Sequence, residues 1–564
     1  MPPQESIPTG SIPPPARTKG EIKVWLTAAG LTVGLTMIGS LLLLIAINGL
    51  SVFWPHTVTE YSIREADGSV VKVAGTLVKT QQRRTPTGAF VTEHQIFTGN
   101  KDAYNLAFRY LQDAQIVGQA QPPDIYVADR IGYGDSVFRP MRLQGADGKS
   151  VAAEDAAFPA EFRRLVDQGI ERSRQGLEPA RDKLVYRLST GEERSQNVAD
   201  ILYYYQPNQL SVWGRTRVFL HSIWEFLSAQ PRESNTEGGI FPAIFGTVVM
   251  TLLMAIMVTP FGIIAAIYMR EYARQGIMVR LVRICVNNLA GVPSIVFGVF
   301  GVGFFVYGVG GFIDRGVRYP MAPVWWFAAG FAAIGCVAAA VYLSTHNRIA
   351  IPTQQKRQKV LRKLEGTLWV VAVFLVVVAV ACCPYFHGFF SQSVSTPTFG
   401  TGGILWASLT LALMTLPVVI VATEEALVAV PRGVREAALA CGASKWQTIQ
   451  RIVLPGALPG VMTGVILAMA RGAGEVAPLM ITGVVKLAPS LPLDLNPPFI
   501  HAERKFMHLG FHIYDLGFQS PDSEGAKPMV FATTLLLIVL VVALNLAAIQ
   551  IRAHLRKRFQ ASAF

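Results

Sequence analysis

Eight apolar runs, each long enough to cross a bilayer, constrain this chain more than any other feature. They occupy residues 24–53 and about 240–269, 290–312, 324–344, 367–385, 402–423, 457–484 and 529–550. A helix needs roughly 20 apolar residues to span the hydrocarbon layer. Every backbone polar group inside that layer must find a partner, so a spanning segment that is not part of a closed barrel is helical. The first run is too long for a signal-peptide core and no small-x-small cleavage site follows it, so it reads as a retained anchor. Only 15% of the residues are charged, against about 25% in soluble domains. The expected fold is an all-α polytopic membrane protein of about eight transmembrane helices with an inserted α+β soluble domain.

The net charge of +13 raises the question of nucleic acid, but the basic residues sit mostly in short loops beside apolar runs, so no nucleic-acid partner is expected. Cytoplasmic loops carry the Lys/Arg excess. Arg17, Lys19 and Lys23 precede the first span, and Arg270, Arg274, Arg280 and Arg283 follow the second. Arg348, Lys356, Arg357, Lys359, Arg362 and Lys363 lie between the fourth and fifth, and Arg552, Arg556, Lys557 and Arg558 end the chain. The alternate loop at 386–401 has no charged residue, and the loop at 485–528 mixes both signs. Both termini are therefore expected to be cytoplasmic. The expected organisation is a disordered tail at 1–23, a first span at 24–53 and an extracytoplasmic domain at 54–238. A transmembrane region at 239–558 follows, with an inserted helix pair at 324–385.

The stretch at 54–238 has ordinary polarity and enough length for its own core. Asp67-Gly68 between 61–64 and 70–73 reads as a tight hairpin, and 101–114 and 153–174 read as helices. Val212, Trp213, Val218, Phe219, Ile223, Trp224 and Leu227 recur at helical spacing. That pattern fits either an amphipathic helix on the outer membrane surface or a core helix of the soluble domain. The five cysteines, Cys285, Cys336, Cys382, Cys383 and Cys441, fall in or near membrane segments, so no disulfide framework is implied. No cofactor, metal site or catalytic group is expected. Asp147-Gly148-Lys149-Ser150 lacks the first glycine of a phosphate loop, where Leu143 stands, and neither H-E-x-x-H nor G-x-S-x-G occurs.

The most informative segment is 424–455, reading EEALVAVPRGVREAALACGASKWQTIQRIVLP. Pro431 is suited to open a short helix, which the small residues Ala437 and Ala438 continue. Gly442 can take the positive φ that ends it. A second helix at 444–452 leads through Leu454-Pro455 into the seventh span. The product is a helix–turn–helix elbow on the cytoplasmic side, shaped to seat in a groove on another protein. Glu436, Ala437, Ala438, Gly442, Ile452, Leu454 and Pro455, at these spacings, resemble the cytoplasmic EAA loop of binding-protein-dependent ABC importer permeases.

Further stretches resemble the phosphate-permease branch of that family, in a long form with an extracytoplasmic domain. They are Thr236-Glu237-Gly238-Gly239-Ile240, Gly291-Val292-Pro293-Ser294-Ile295-Val296-Phe297-Gly298, Thr423-Glu424-Glu425-Ala426-Leu427 and Gly474-Glu475-Val476-Ala477-Pro478. The resemblance covers roughly 240–312 and 400–558 and departs at 313–400. It implies a non-enzymatic subunit that moves inorganic phosphate by alternating access, driven by a separate ATP-hydrolysing subunit seated on the elbow. It also implies a second homologous permease subunit and an extracytoplasmic phosphate-binding protein. Other oxyanions (molybdate, tungstate, sulfate) and a non-transport membrane sensor are the alternatives.

Arg471 and Glu475 fall in the expected seventh span, four residues apart and so on one helix face. Ionisable groups at such depth usually face a protein interior or a water-filled path, and a guanidinium fork matches phosphate oxygens. The pair is expected to line the translocation path, with a structural lock between helices as the alternative. Gly291-Val292-Pro293 is expected to loosen the third span.

Overall fold

The computed structural model describes residues 22–560 except 66–67, 85–89, 147, 316–320, 348–354, 384–397, 498 and 521–522. Residues 1–21 of the expected tail, with Arg17 and Lys19, lie outside these. So do Asp67, Asp147, Arg348 and most of the charge-free loop at 386–401. Helix α1 (Ile22–Ser51) opens the described chain and is lined by Leu, Ile and Val on all sides. Strand β1 (Thr59–Arg64) then pairs antiparallel with β2 (Val70–Arg84), and the turn between them closes through Glu65 N–H to Ser69 O at 2.9 Å.

A five-stranded sheet follows from β3 (Phe90–Phe97), β4 (Phe108–Gln112) and β5 (Ile116–Ala120), in the order β4-β3-β2-β1-β5. The expected helix at 101–114 is not there. Only one turn, α2 (Lys101–Tyr104), forms between Asn100 and Asn105, both at positive φ. Phe108 and Tyr110 suit a sheet surface better than a helix, and pairing on β3 sinks Leu111 into a core with Tyr61, Ile63, Val73 and Ile96. The second sheet runs β10-β9-β7-β6-β11 with β8 on β7. Its strands are β6 (Tyr126–Arg130), β7 (Ser136–Gln144), β8 (Ser150–Ala152), β9 (Lys183–Arg187), β10 (Glu193–Asn197) and β11 (Ile201–Tyr205). Helix α3 (Phe158–Arg174), expected from 153, begins later. It lays Phe158, Phe162, Leu165 and Val166 on Tyr126, Phe138, Leu184 and Ile201.

Helix α4 (Val212–Ser228) and the short pair β12 (Pro231–Arg232) and β13 (Glu237–Gly238) lead to α5 (Phe241–Ile267), which heads the span Phe241–Tyr272. Then come α6 (Ile277–Leu289), α7 (Ser294–Phe300), α8 (Gly311–Arg315), α9 (Pro323–Asn347) and α10 (Gln355–Ala381). The remainder is α11 (Ile404–Ala429), α12 (Arg432–Ala440), α13 (Lys445–Thr448), α14 (Leu454–Gly474), α15 (Ala477–Thr482), α16 (Leu509–Tyr514) and α17 (Ser523–Gln560). Among the described residues, eight helical stretches are long and apolar enough to cross a membrane. The core is the trio α5, α11 and α14. Met250, Met254 and Val258 meet Leu411, Met414 and Val419, and Val465, Ala468 and Met469 close the third side.

Two spans differ from the sequence reading. Gly291–Pro293 separates α6 from α7, so the third span begins at Ser294 and the basic stretch before it is largely helical. The expected seventh span to 484 stops at Gly474, because Glu475 turns to an extended conformation and α15 starts afresh. Glycine at 298 is required by close packing, since a Cβ there would meet Pro478 Cα at 2.8 Å.

The β-rich body joins the membrane helices through a charged junction. Arg232 donates to Asp129 at 2.8 Å, to Glu225 at 3.1 Å and to the Arg130 carbonyl at 2.7 Å. Lys101 pairs with Glu237 at 2.8 Å. Burial, followed by the nearby Asp129 and Glu237 carboxylates, pushes Asp135 up to about 8. Burial and Asp129 push Glu225 up to about 7. A carboxyl that holds its proton more tightly folded than unfolded favours the fold at low pH. Its penalty accrues as pH rises from the ordinary carboxylate range to the folded value. Backbone amides of 126–138 in the full chain should therefore lose hydrogen-exchange protection, corrected for intrinsic rate, between pH 6 and about pH 8.5. Asp135→Asn should retain it. Protection in the unaltered chain that does not change over that interval would contradict this assignment.

Candidate functional site

The elbow forms where α11 leaves the helical core. Val430 is extended, Pro431 caps α12, and Gly442 at φ +82° ends it. No atom lies within 4 Å of a Cβ built on Gly442. The requirement for glycine there is thus backbone conformation and not space; an L side chain pays about 1–2 kcal/mol in this region. Ser444 caps α13 reciprocally with Gln447, so two otherwise orphaned N–H groups are satisfied. A π-helical stretch, Ile449–Val453, then continues into α14. Beneath the elbow, Ala266, Ile267, Leu427, Val430, Ile449, Val453, Ala457 and Val461 form one apolar cluster that fuses it to the lower ends of α5, α11 and α14.

Polar contacts fasten it further. The Arg435 guanidinium pairs with the Glu271 carboxylate and donates to the Leu427 carbonyl. Lys445 Nζ donates to the Glu271 carbonyl and lies 5.2 Å over the Tyr272 ring. The last turn of the second span therefore grips both arms of the elbow. Nearby, Arg283 on α6 pairs with Glu424 on α11 at 3.1 Å. Sequence reasoning missed Glu271 and Arg435 as partners. The available signal was the lone carboxylate inside Arg270-Glu271-Tyr272-Ala273-Arg274, otherwise basic.

Of the residues that carry the loop resemblance, Glu436 and Ala437 face outward, Ala438 is buried and Gly442 makes the turn. Ile452, Leu454 and Pro455 are half-buried where the chain re-enters the helical core. The outward face also presents Val434, Leu439 and Trp446, each about half exposed. An apolar face held rigidly at the end of a helical core is suited to seat in a complementary groove.

Arg471 and Glu475 come together, but not on one helix face. Arg471 occupies the last turn of α14 and Glu475 is the extended residue that follows the helix, with Nε and Oε1 3.7 Å apart. At 1.5 Å per residue, Arg471 lies about 25 Å along the helix from Leu454, near the end remote from the elbow. Arg471 is 38% exposed in the isolated chain, so its fork is open on one side. A cation in the last turn also complements the helix dipole. Among the described residues, no cluster of His, Cys, Asp or Glu is arranged to hold a metal ion.

Residues 367–560 match the family described as binding-protein-dependent transport system inner membrane component. The chain is 28% identical over 315 residues to phosphate transport system permease protein PstA 1 of Mycobacterium tuberculosis, covering 56% of this chain and 71% of that one. Its identity to phosphate transport system permease protein PstA of Mycobacterium leprae is 29% over 309 residues, or 55% and 69% of the two chains. With probable ABC transporter permease protein YqgH of Bacillus subtilis it shares 25% over 275 residues, 48% and 62%. The chain is thus similar to ABC importer permeases over its second half, and its eight long apolar helical stretches fit a multi-pass inner-membrane protein.

The fastening of the elbow is directly testable. Glu271→Ala removes the carboxylate from a largely buried guanidinium, an interaction worth about 1–3 kcal/mol. Trypsin cleavage after Arg432, Arg435 and Lys445 in the detergent-solubilised chain should accelerate about tenfold, while Glu271→Gln, which keeps an acceptor, should lie between. Equal cleavage rates for the unaltered chain and Glu271→Ala would show that the ion pair does not hold the elbow.

Proposed function

We propose that this chain is the permease subunit of an ATP-driven phosphate importer, completing its pore with a second, homologous permease. The observation that carries the reading is the elbow, fixed to three membrane helices and bearing an exposed apolar face. A separate ATP-hydrolysing subunit seats there, and its movement on ATP binding and release reaches α5, α11 and α14 through the Glu271 grip. The seven residues of the loop resemblance, from Glu436 to Pro455, contribute as their placement allows. Glu436 and Ala437 contact the partner, Gly442 sets the angle between arms, and Ile452, Leu454 and Pro455 join the elbow to α14.

Phosphate as solute is supported by what the mycobacterial relatives are named for transporting. An extracytoplasmic binding protein delivers it to the face remote from the elbow. Both termini lie in the cytoplasm and residues 54–238 outside, modulating docking or stability without being the primary solute-binding module. Arg471, open on one side near that outer end of α14, meets the arriving anion. Glu475 beside it keeps the guanidinium oriented and prevents binding too tight for release.

Phosphate uptake by cells that depend on this chain tests the reading. Arg471→Ala should reduce uptake at least tenfold at normal membrane abundance, and Arg471→Lys, which keeps the charge without the fork, should reduce it partly. A double Arg471→Ala/Glu475→Ala variant with near-normal uptake would leave the pair as a helix lock only. Competition by molybdate, tungstate or sulfate equal to that by phosphate would overturn the choice of solute.

A further inference from the structure

Helix α4 has three distinct sides. One side holds the β-rich body, where His221 stacks on Tyr203 at 4.0 Å and Glu225 pairs with Arg232. A second side holds the ends of membrane helices. Phe219 lies 5.7 Å from Trp54 and Phe226 lies 5.1 Å from Phe53, in the two aromatic residues just beyond α1. Phe226 also packs in one cluster with Ile240, with Ala243 in the first turn of α5 and with Ala532 of α17. The third side is uncovered. Trp213, Leu220 and Trp224 are 84%, 59% and 69% exposed, at spacings of seven and four that place them in one stripe. At about 100° per residue, Ile223 and Leu227 lie opposite His221 and Glu225. Both are half-buried on the flank turned away from the β-rich body, where Leu227 packs against the Phe226 cluster.

We infer that α4 is an in-plane anchor lying in the outer headgroup region, with the Trp213–Leu220–Trp224 stripe turned into phospholipid. The height of the helix supports this, because its contacts fall on the two aromatic residues just beyond the end of α1 and on the first turn of α5. A helix at that level borders the boundary between headgroups and acyl chains. Its chemistry fits the same place. Tryptophan concentrates at membrane interfaces, and an interfacial helix pairs an apolar face with basic residues. Arg217 lies beside the stripe, Arg215 lies on the opposite side of the helix two residues after Trp213, and the only carboxylate of α4, Glu225, points at the β-rich body. The anchor fixes the orientation of the β-rich body, since α4 touches it through Tyr203 and Arg232 and touches the spans through Phe53 and Trp54.

The inference rests on α1 and α5 crossing the membrane, and its test is independent of phosphate transport. In the full chain with its native cysteines replaced, Leu220→Cys and, as a control, Ser150→Cys on exposed β8 carry an environment-sensitive fluorophore. Each protein is placed in nanodiscs of phosphatidylethanolamine and phosphatidylglycerol. Lipids spin-labelled at the headgroup, near the carbonyl end or near the methyl end of the acyl chain serve as quenchers. Leu220→Cys emission should be quenched about twofold or more by the headgroup and carbonyl-end labels and less by the methyl-end label. Ser150→Cys should not be quenched. Emission at Leu220→Cys as unquenched as the control would place the stripe in water and overturn the anchor. Strongest quenching by the methyl-end label would overturn it equally, because the helix would then lie within the hydrocarbon core.

Discussion

The Glu271 carboxylate, at the foot of the second span, holds the cytoplasmic side of this protein together. Its side chain takes the Arg435 guanidinium of one elbow arm, and its backbone carbonyl takes Lys445 of the other. Both groups of the ion pair are mostly buried, so the pair is neither screened like a surface contact nor free to exchange partners. Without it the elbow would keep its apolar underside and two hydrogen bonds to backbone carbonyls, from Arg435 to Leu427 and from Lys445 to Glu271. With it, α12 and α13 move as one body with α5, α11 and α14, which a docking surface that transmits force requires. The capping of α13 by Ser444 and Gln447 and the positive φ of Gly442 set the angle between the arms. Glu271 sets where both arms sit.

Other parts hang on this core more lightly. Helices α9 and α10 pack chiefly on each other, with Trp326 Nε1 donating to the Ala379 carbonyl at 2.8 Å. The chain leaves for this pair and returns at adjacent points, because Asp314 accepts from Phe399 N–H at 2.9 Å and also from Gly400 N–H and the Thr398 hydroxyl. A pair attached in this way can be accommodated without disturbing the helices that flank it. Helix α1 packs on α17, where Gly49 comes close to Phe531 and Leu535. The β-rich body is tied at the Arg232 junction, and Asn235 reaches across to the Lys486 carbonyl at 2.9 Å. Beyond it, Arg504 and His501 gather on Asp494 at 2.5 and 3.0 Å, and Arg504 holds the Asp494 carboxyl down at about 2. Fixed ion pairs thus stiffen the loop that follows α15.

Much of this was legible in the sequence because it depends on local patterns. Long apolar runs demand helices, Gly442 marks a turn that few other residues adopt, and Pro431 and Ser444 are helix-start residues at the right spacing. The readings that failed depended on distant partners. The segment 101–114 has helical periodicity, yet β3 offers Leu111 a better burial and Asn100 and Asn105 close the turn early. Arg471 and Glu475 are four apart, which on a continuous helix means one face, but Gly472 and Gly474 let the helix end between them. Glu271 was invisible as a fastening because its partners are more than 150 residues away in sequence. Apart from the hairpin of β1 and β2, which was legible, the two larger β-sheets were equally hidden: their strands are short, their edges are polar, and the pairing is set by contacts between strands rather than by any one of them.

Cys441, exposed at the turn of the elbow, offers the most direct measurement of the central claim. With the other four cysteines replaced, a short photo-activated cross-linker on Cys441 can be activated in membranes that contain the complete transport system. The account predicts that the ATP-hydrolysing subunit is the main protein captured and that its capture changes between nucleotide-free and ATP-bound conditions. Cross-linking that never reaches that subunit, in a preparation that still takes up phosphate, would contradict it.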